Sequence, residues 1–192
     1  IPVGGSSPLG AAGYVMAAKE IKNQLNEMNI KMEYVFTGFG SVGTYGGLYL
    51  GSKYFDAGFI PIGVCVSHKN EAEMQEKIDY IKEINSFLNL NVNVRREDMW
   101  IEDGYVGISY NVPDPLTRKY VYMMAREEAI ILDNCYTGKV FRAMVEMIEK
   151  GKISKDKNVL FLHTGGVPGL FSEEHEEAMQ DELWNYQREY RL

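Results

Sequence analysis

Apolar residues along the chain follow two alternating periodicities. MEYVFTG from Met32, FIPIGVCVS from Phe59 and NVLFLHTGG from Asn158 are short, dense apolar runs that read as strands. The unbroken apolar character of FIPIGVCVS is that of a strand covered on both faces, as in a parallel sheet. Ile1 to Val3 reads as a further short strand, and 92–100 as another. Between them lie segments with helical period: 12–28, a stretch leaving FGSVGTYGG and ending near Phe55, 70–88, 116–130 and 137–151. In 70–88, Met74, Ile78, Ile81 and Ile84 or Leu88 make one apolar stripe, with Glu and Lys opposite. In 137–151, Phe141, Met144, Val145 and Ile148 share a side. GYVGISYNVPDP reads as a loop, and the chain from Ser172 as a charged helix. Strand then helix, repeated about five times, predicts an α/β fold, a parallel sheet with helices on both faces. Ligands in such sheets bind beyond the carboxyl ends of the strands. GFGSVGTYGG, DNCYTGK and HTGG all leave strands as glycine-containing turns, so they are expected to face one crevice.

Composition narrows the function classes. The 192 residues carry 20 basic and 27 acidic side chains, a net charge of −7, which disfavours a nucleic-acid partner. No apolar run approaches the roughly 20 residues of a membrane helix. Cys65 and Cys135 do not make a disulfide framework, and Cys65 sits in an apolar run that reads as core. There is no CxxC or HExxH, and His68, His163 and His175 are scattered, so no metal site is expected. The absence of a targeting segment points to the cytoplasm. The start at Ile1, strand-like and without an initiator Met, is expected to be a cut edge.

Glycine numbers 19 and is concentrated in TGFGSVGTYGG, where Gly38, Gly40, Gly43, Gly46 and Gly47 follow a strand and open a helix. Glycines let backbone N–H groups approach a ligand, and a helix N-terminus adds unpaired donors and partial positive charge. Together these cradle a phosphate, and Ser41 and Thr44 add hydroxyls. Gly38, Gly40 and Gly43 satisfy G-x-G-x-x-G, but no acidic residue ends the next strand, which argues against a dinucleotide. No Lys-Ser or Lys-Thr follows, which excludes a nucleotide P-loop. The alternative is a turn that merely packs a helix on a sheet.

GGSSPLGAAGY, TGFGSVGTYGGL, DNCYTGK and LFLHTGGVPGLF, in this order, resemble the D-cysteine desulfhydrase and 1-aminocyclopropane-1-carboxylate deaminase family over Ile1 to about Phe171. The resemblance implies a pyridoxal-phosphate enzyme of the tryptophan synthase β-like (fold type II) class. It implies that 1–171 is the C-terminal portion of such an enzyme, most of its cofactor-binding large domain, whereas 172–192 departs from the family pattern and reads as a helical extension. Gly40, Ser41, Val42, Gly43 and Thr44 match the loop that holds the cofactor phosphate. Tyr136 and Tyr110 match active-site tyrosines, and Thr164 matches the hydroxyl partner of the pyridine nitrogen. Thr137 stands beside the cofactor where deaminases carry a glutamate. Thr137 and Thr164 side with the desulfhydrases, so the implied reaction is β-elimination of D-cysteine, a small amino-acid substrate, to pyruvate, hydrogen sulfide and ammonia. A deaminase or another ammonia-lyase of the fold is the alternative. A non-catalytic phosphate-ligand-binding domain is the alternative from another class. The family's Schiff-base lysine and its Ser-Asn-Gln-type substrate motif belong to a preceding segment, so this chain alone is expected to be inactive. The resemblance also implies a homodimer.

Several residues outside those motifs carry plainer expectations. Lys139 reads as an exposed charge near a helix start. His163 reads either as a cofactor-orienting side chain or as a satisfied core histidine. Ser6 and Ser7, with Gly4 and Gly5, read as a turn before a helix, with a ligand contact as the alternative. In the tail, Met179, Leu183, Tyr186 and Tyr190 recur at helical spacing; the helix either packs on its own body or makes a dimer contact.

Overall fold

The two central strands carry apolar side chains toward both faces of a sheet, and each face is covered by helix. The computed structural model describes residue 2 and residues 5–189. Within them β1 (Tyr34–Phe39), β2 (Ile60–Cys65), β3 (Trp100–Glu102) and β4 (Val159–Phe161) form one sheet in the order β3-β2-β1-β4. Every pairing is parallel: Tyr34 faces Ile60 and Val159, and Ile62 faces Trp100. The helices are α1 (Pro8–Glu27), α2 (Gly43–Tyr54), α3 (Glu71–Phe87), α4 (Pro115–Glu128), α5 (Thr137–Glu149) and α6 (Glu173–Glu189). Val35 packs with Ala18 of α1 and Leu48 of α2, and Phe36, one residue on, packs with Val140, Ala143 and Met147 of α5. Strand alternation thus assigns α1 and α2 to one face and α5 to the other. Ile78, Ile81 and Ile84 of α3 join the first face, the stripe read from the sequence.

The chain runs β1 to β2 to β3 in one direction, then returns to lay β4 on the far side of β1. The order therefore reverses between β1 and β4, and the crevice beyond their carboxyl ends is where such sheets bind ligands.

Three expectations need correction. α1 begins at Pro8, not near residue 12. Ser7 Oγ accepts the Gly10 N–H at 3.0 Å, and Pro8 occupies the first helical position, where its missing N–H costs nothing. The segment 92–100 is not a strand: only Trp100–Glu102 joins the sheet, after a 3₁₀ turn at Arg96–Asp98. Its backbone groups are taken by side chains instead. The Asn85 amide donates to the Val92 carbonyl at 2.9 Å and accepts the Val92 N–H at 3.0 Å, and the Tyr49 hydroxyl accepts the Arg95 N–H at 3.4 Å. In α5 the deepest positions are Val140, Ala143 and Met147 beside Phe141, while Met144, Val145 and Ile148 are half-buried, because the helix is wedged between the sheet and α4.

α6 packs on its own body. Arg118 of α4, itself buried, donates to both Glu182 carboxylate oxygens at 2.9 and 2.7 Å, and the Tyr122 hydroxyl donates to the same group at 2.8 Å. Of the stripe positions, Met179 is half-buried and Leu183 exposed; the Tyr186 side chain, Tyr190, and Ile1, Val3 and Gly4 at the other end lie outside the described part. Among the described residues no helix is long and apolar enough to cross a membrane.

α1 and α2 approach closely through Gly47 and Gly51, which lie on one face of α2. A Cβ at Gly51 would stand 2.5 Å from the Val15 carbonyl oxygen and 2.7 Å from the Ala18 Cβ. Gly51→Ala is expected to destabilise the fold by about 2 kcal/mol, since backbone cannot yield as a flexible side chain would; the urea unfolding midpoint reads this directly. Asn85→Ala, which leaves both Val92 groups without their partner, is expected to cost about 1–3 kcal/mol in the same measurement.

Candidate cofactor site

Beyond β1 the backbone turns through Gly40, Ser41 and Val42 into α2. Val42 sits at φ +78, a left-handed conformation that a β-branched residue rarely adopts. No side chain caps α2, so the N–H groups of its first turn lack the partner that a capped helix would give them. They and the positive helix end point to a cavity of about 320 Å³ bordered by Gly40, Ser41, Val42 and Thr44. Tyr14 of α1 and Thr37 of β1 border it too. Thr37 is fully buried, and its hydroxyl has no hydrogen-bond partner among the described residues. Unspent donors, hydroxyls and a helix start converging on one hollow are what a phosphate group requires.

The opposite wall comprises Tyr136, Thr164, Gly165 and Gly166. It is organised by Asp133, which is 1% exposed. One carboxylate oxygen accepts the N–H groups of Cys135 and Tyr136 at 2.7 and 2.6 Å, and the other accepts the Thr137 N–H and hydroxyl at 2.8 and 2.5 Å. Gly166, at φ +98, lies against the same carboxylate: a Cβ there would be 2.5 Å from Oδ2. Asp133 thereby joins the start of α5 to the turn after β4.

The Tyr136 hydroxyl stands 2.6 Å from that of Tyr110, with the rings edge-on and 5.8 Å apart. The bond to Tyr136, followed by partial burial, pushes the Tyr110 phenol well above its ordinary value, so it keeps its proton. A neighbouring hollow of about 390 Å³ shares Gly40, Ser41 and Tyr136 with the first and adds Tyr110 and Lys69. Gly40 lets the loop run flat along the Tyr136 ring: a Cβ there would lie 3.3 Å from its Cε1.

Gly40, Ser41, Val42, Thr44, Tyr136 and Thr164 border one cavity, but the DNCYTGK turn that carries Tyr136 follows α4 rather than leaving a strand as expected: among the described residues no strand lies between α4 and α5. Gly43 stands behind them as the first residue of α2, and Tyr110 reaches the cavity through the Tyr136 hydroxyl. Thr137 is buried behind the wall, its hydroxyl closed onto Asp133. Lys139 overturns its expectation as an exposed charge. It is fully buried, and its Nζ donates to the carbonyls of Val66 at 3.0 Å and Ser109 at 2.9 Å. Burial pushes its ammonium below the ordinary value. His163 is exposed rather than core, and shapes the turn by accepting the Gly165 N–H at 3.2 Å. Ser7 serves α1 as its cap. Among the described residues no group of three His, Cys, Asp or Glu side chains is gathered as metal ligands.

Sequence reasoning missed Asp133, Thr37 and Tyr14. An acid just ahead of a helix start is a capping signal that could have found Asp133. Nothing in the spacing singles out Thr37.

Comparison with known proteins agrees with this geometry. The model of the family described as "Pyridoxal-phosphate dependent enzyme" matches residues 1–165. A D-cysteine desulfhydrase of Salmonella newport is 36% identical over 173 residues, covering 90% of this chain and 51% of that protein. A putative 1-aminocyclopropane-1-carboxylate deaminase of Pyrococcus abyssi is 32% identical over 171 residues, covering 89% and 50%. The crystal structure of an ACC deaminase homologue superposes with a TM-score of 0.77 at 32% identity, over 96% of this chain and 52% of that one. The chain spans about half the length of these relatives. With the family model covering most of its length and the cavity built from the loop, turn and strand ends described above, the chain belongs to the pyridoxal-phosphate dependent enzymes.

Proposed function

We propose that this chain forms the phosphate- and ring-binding wall of a lyase that converts D-cysteine and water to pyruvate, hydrogen sulfide and ammonia. The observation that carries the reading is the convergence of Gly40–Thr44, Tyr136 and Thr164, from three separate turns, on the cavity at the β1–β4 reversal. The residues fit the cofactor. The loop N–H groups, Ser41, Thr44 and the unpartnered Thr37 hydroxyl would hold its phosphate, and Thr164 would meet its ring nitrogen. Bound there, pyridoxal phosphate supplies an electron sink for negative charge at the substrate α-carbon.

The protein's own groups set how strong that sink is. Thr164 is neutral, and no carboxylate is among the residues bordering the cavity. A neutral hydroxyl leaves the ring nitrogen less charged than an acid would, which suits departure of a good leaving group such as thiolate. Opening a cyclopropane ring asks more of the sink, and Thr137 offers no acid beside Tyr136. The Tyr136 hydroxyl borders the cavity with Tyr110 behind it, so the pair can hold a proton beside bound substrate.

In the intact protein, sulfide and pyruvate release from D-cysteine, L-cysteine, β-chloro-D-alanine and 1-aminocyclopropane-1-carboxylate decides the reading. Turnover of D-cysteine and β-chloro-D-alanine is expected. Release of 2-oxobutyrate from the cyclopropane substrate alone would make the protein a deaminase, and phosphate-ligand binding without turnover of any of them would make it a binding domain. Tyr110→Phe and Tyr136→Phe are each expected to slow D-cysteine turnover by about 100-fold, the scale of a lost proton-transfer group; unchanged rates in both would remove the tyrosines from the reaction. Ser41→Ala should weaken binding of inorganic phosphate about fivefold, one hydrogen bond's worth, by calorimetric titration.

A further inference from the structure

α6 lies outside the residues that the family model matches, yet its first turn reaches the site. His175, the third residue of α6, is 1% exposed. Its Nε2 stands 3.1 Å from the Asn111 carbonyl oxygen and 3.3 Å from Asn111 Oδ1, and its Nδ1 stands 3.1 Å from the Asn134 side-chain nitrogen. A carbonyl oxygen can only accept, so Nε2 carries the proton. In the neutral ring Nδ1 then accepts from the Asn134 amide. Asn111 directly follows Tyr110, and Asn134 lies between Asp133 and Cys135 on the segment that presents Tyr136. One buried imidazole therefore bridges the two segments that carry the paired tyrosines, and with them it borders a small hollow of about 190 Å³.

The backbone on either side of Tyr110 is held from two different helices. Lys139 of α5 takes the Ser109 carbonyl at 2.9 Å, and His175 of α6 takes that of Asn111. Tyr110 itself is largely exposed, on a loop with no ladder hydrogen bonds of its own. Its hydroxyl meets that of Tyr136, and the carbonyls of both its chain neighbours are held. α6 is secured a second time, two turns on, by the pairing of Glu182 with the buried Arg118 guanidinium and the Tyr122 hydroxyl, which holds the body of the helix in place.

We propose that His175 is a positioning residue, and that α6 is the strap through which it sets the Tyr110–Tyr136 pair. Its meaning for turnover rests on the function proposed above, but the positioning can be read without turnover. In the intact protein, hydrogen exchange of amides 109–112 and 133–137 and the ¹³Cζ resonance of Tyr110, identified through Tyr110→Phe, report the pair directly. His175→Ala is expected to speed exchange in both segments by about tenfold, the loss of one to two buried hydrogen bonds. It should also move the Tyr110 resonance toward that of a solvated phenol, while the amides of β1 and β2 and the affinity for inorganic phosphate stay unchanged. His175→Gln, which retains a donor toward Asn111, should restore 109–112 and the Tyr110 resonance but not 133–137. An unchanged Tyr110 signal in His175→Ala, or equal acceleration through β1 and β2, would overturn the proposal, as would failure of Gln to rescue any part of the loss. Failure of the wild-type protein to bind phosphate would overturn the cofactor cradle and leave the strap standing.

Discussion

Three successive backbone N–H groups, those of Cys135, Tyr136 and Thr137, donate to one buried carboxylate, that of Asp133. A carboxylate taken out of water is costly unless its lone pairs are met. Here the three N–H groups and the Thr137 hydroxyl meet them, and the positive end of α5 adds to the compensation. The geometry this demands is narrow, and much of the site follows from it. The backbone must fold around the carboxylate, which fixes the direction in which Tyr136 leaves α5. Gly166 must lack a side chain, because the carboxylate occupies the space a Cβ would need. The turn after β4 is thereby drawn against the start of α5, and Thr164 comes to the same cavity as Tyr136.

The facing wall follows the opposite logic. Around Asp133 four donors meet one carboxylate; around Val42 donors are left over. α2 starts without a capping side chain, from a residue whose left-handed backbone costs about 1–2 kcal/mol in an L-amino acid. Thr37 keeps a buried hydroxyl without a partner. Unsatisfied polar groups and local strain persist where the surrounding structure over-determines them, and they cluster where a ligand completes the arrangement. One wall is organised around a satisfied carboxylate and the other leaves donors unpaired, which is how a site presents an anion with donors already in place to receive it.

How much of this could be read in the sequence follows from how local each determinant is. The parallel strands and the α3 stripe were legible because apolar period is a property of neighbours in the chain. The glycine loop was legible because its chemistry lies within ten positions. The stretch 92–100 misled because β-branched residues read as strand, whereas Asn85 and Tyr49, distant in sequence, take its backbone hydrogen bonds. Lys139 misled because a lysine is ordinarily solvated. Its burial depends on two carbonyls, from Val66 and Ser109, that no spacing rule brings beside it. Thr137 is expected beside the cofactor because it adjoins Tyr136 along the chain, yet its buried hydroxyl faces Asp133 and it does not border the cavity, since residues adjacent at a helix start point to different sides. The tail stripe drew attention to Met179 and Leu183, while the groups that tie α6 down are polar: His175 and Glu182.

Charge adds one more constraint. A chain with a net charge of −7 repels a phosphate ester at long range, yet no lysine or arginine is among the residues bordering the cavity. The groups this chain places at that border are oriented dipoles: loop amides, hydroxyls and the start of α2, with Lys69 in the adjoining hollow. The long-range repulsion is screened within about 8 Å at physiological ionic strength, whereas hydrogen bonds to an ionised acceptor act at contact and are not screened away. Binding by dipoles rather than by a point charge also fixes orientation, because each amide must aim at an oxygen. An anion held this way presents whatever it is attached to in one direction only, toward Tyr136 and Thr164. In the function proposed above, the glycine loop would select where the ring lies, and the wall that Asp133 assembles would determine what the ring meets there.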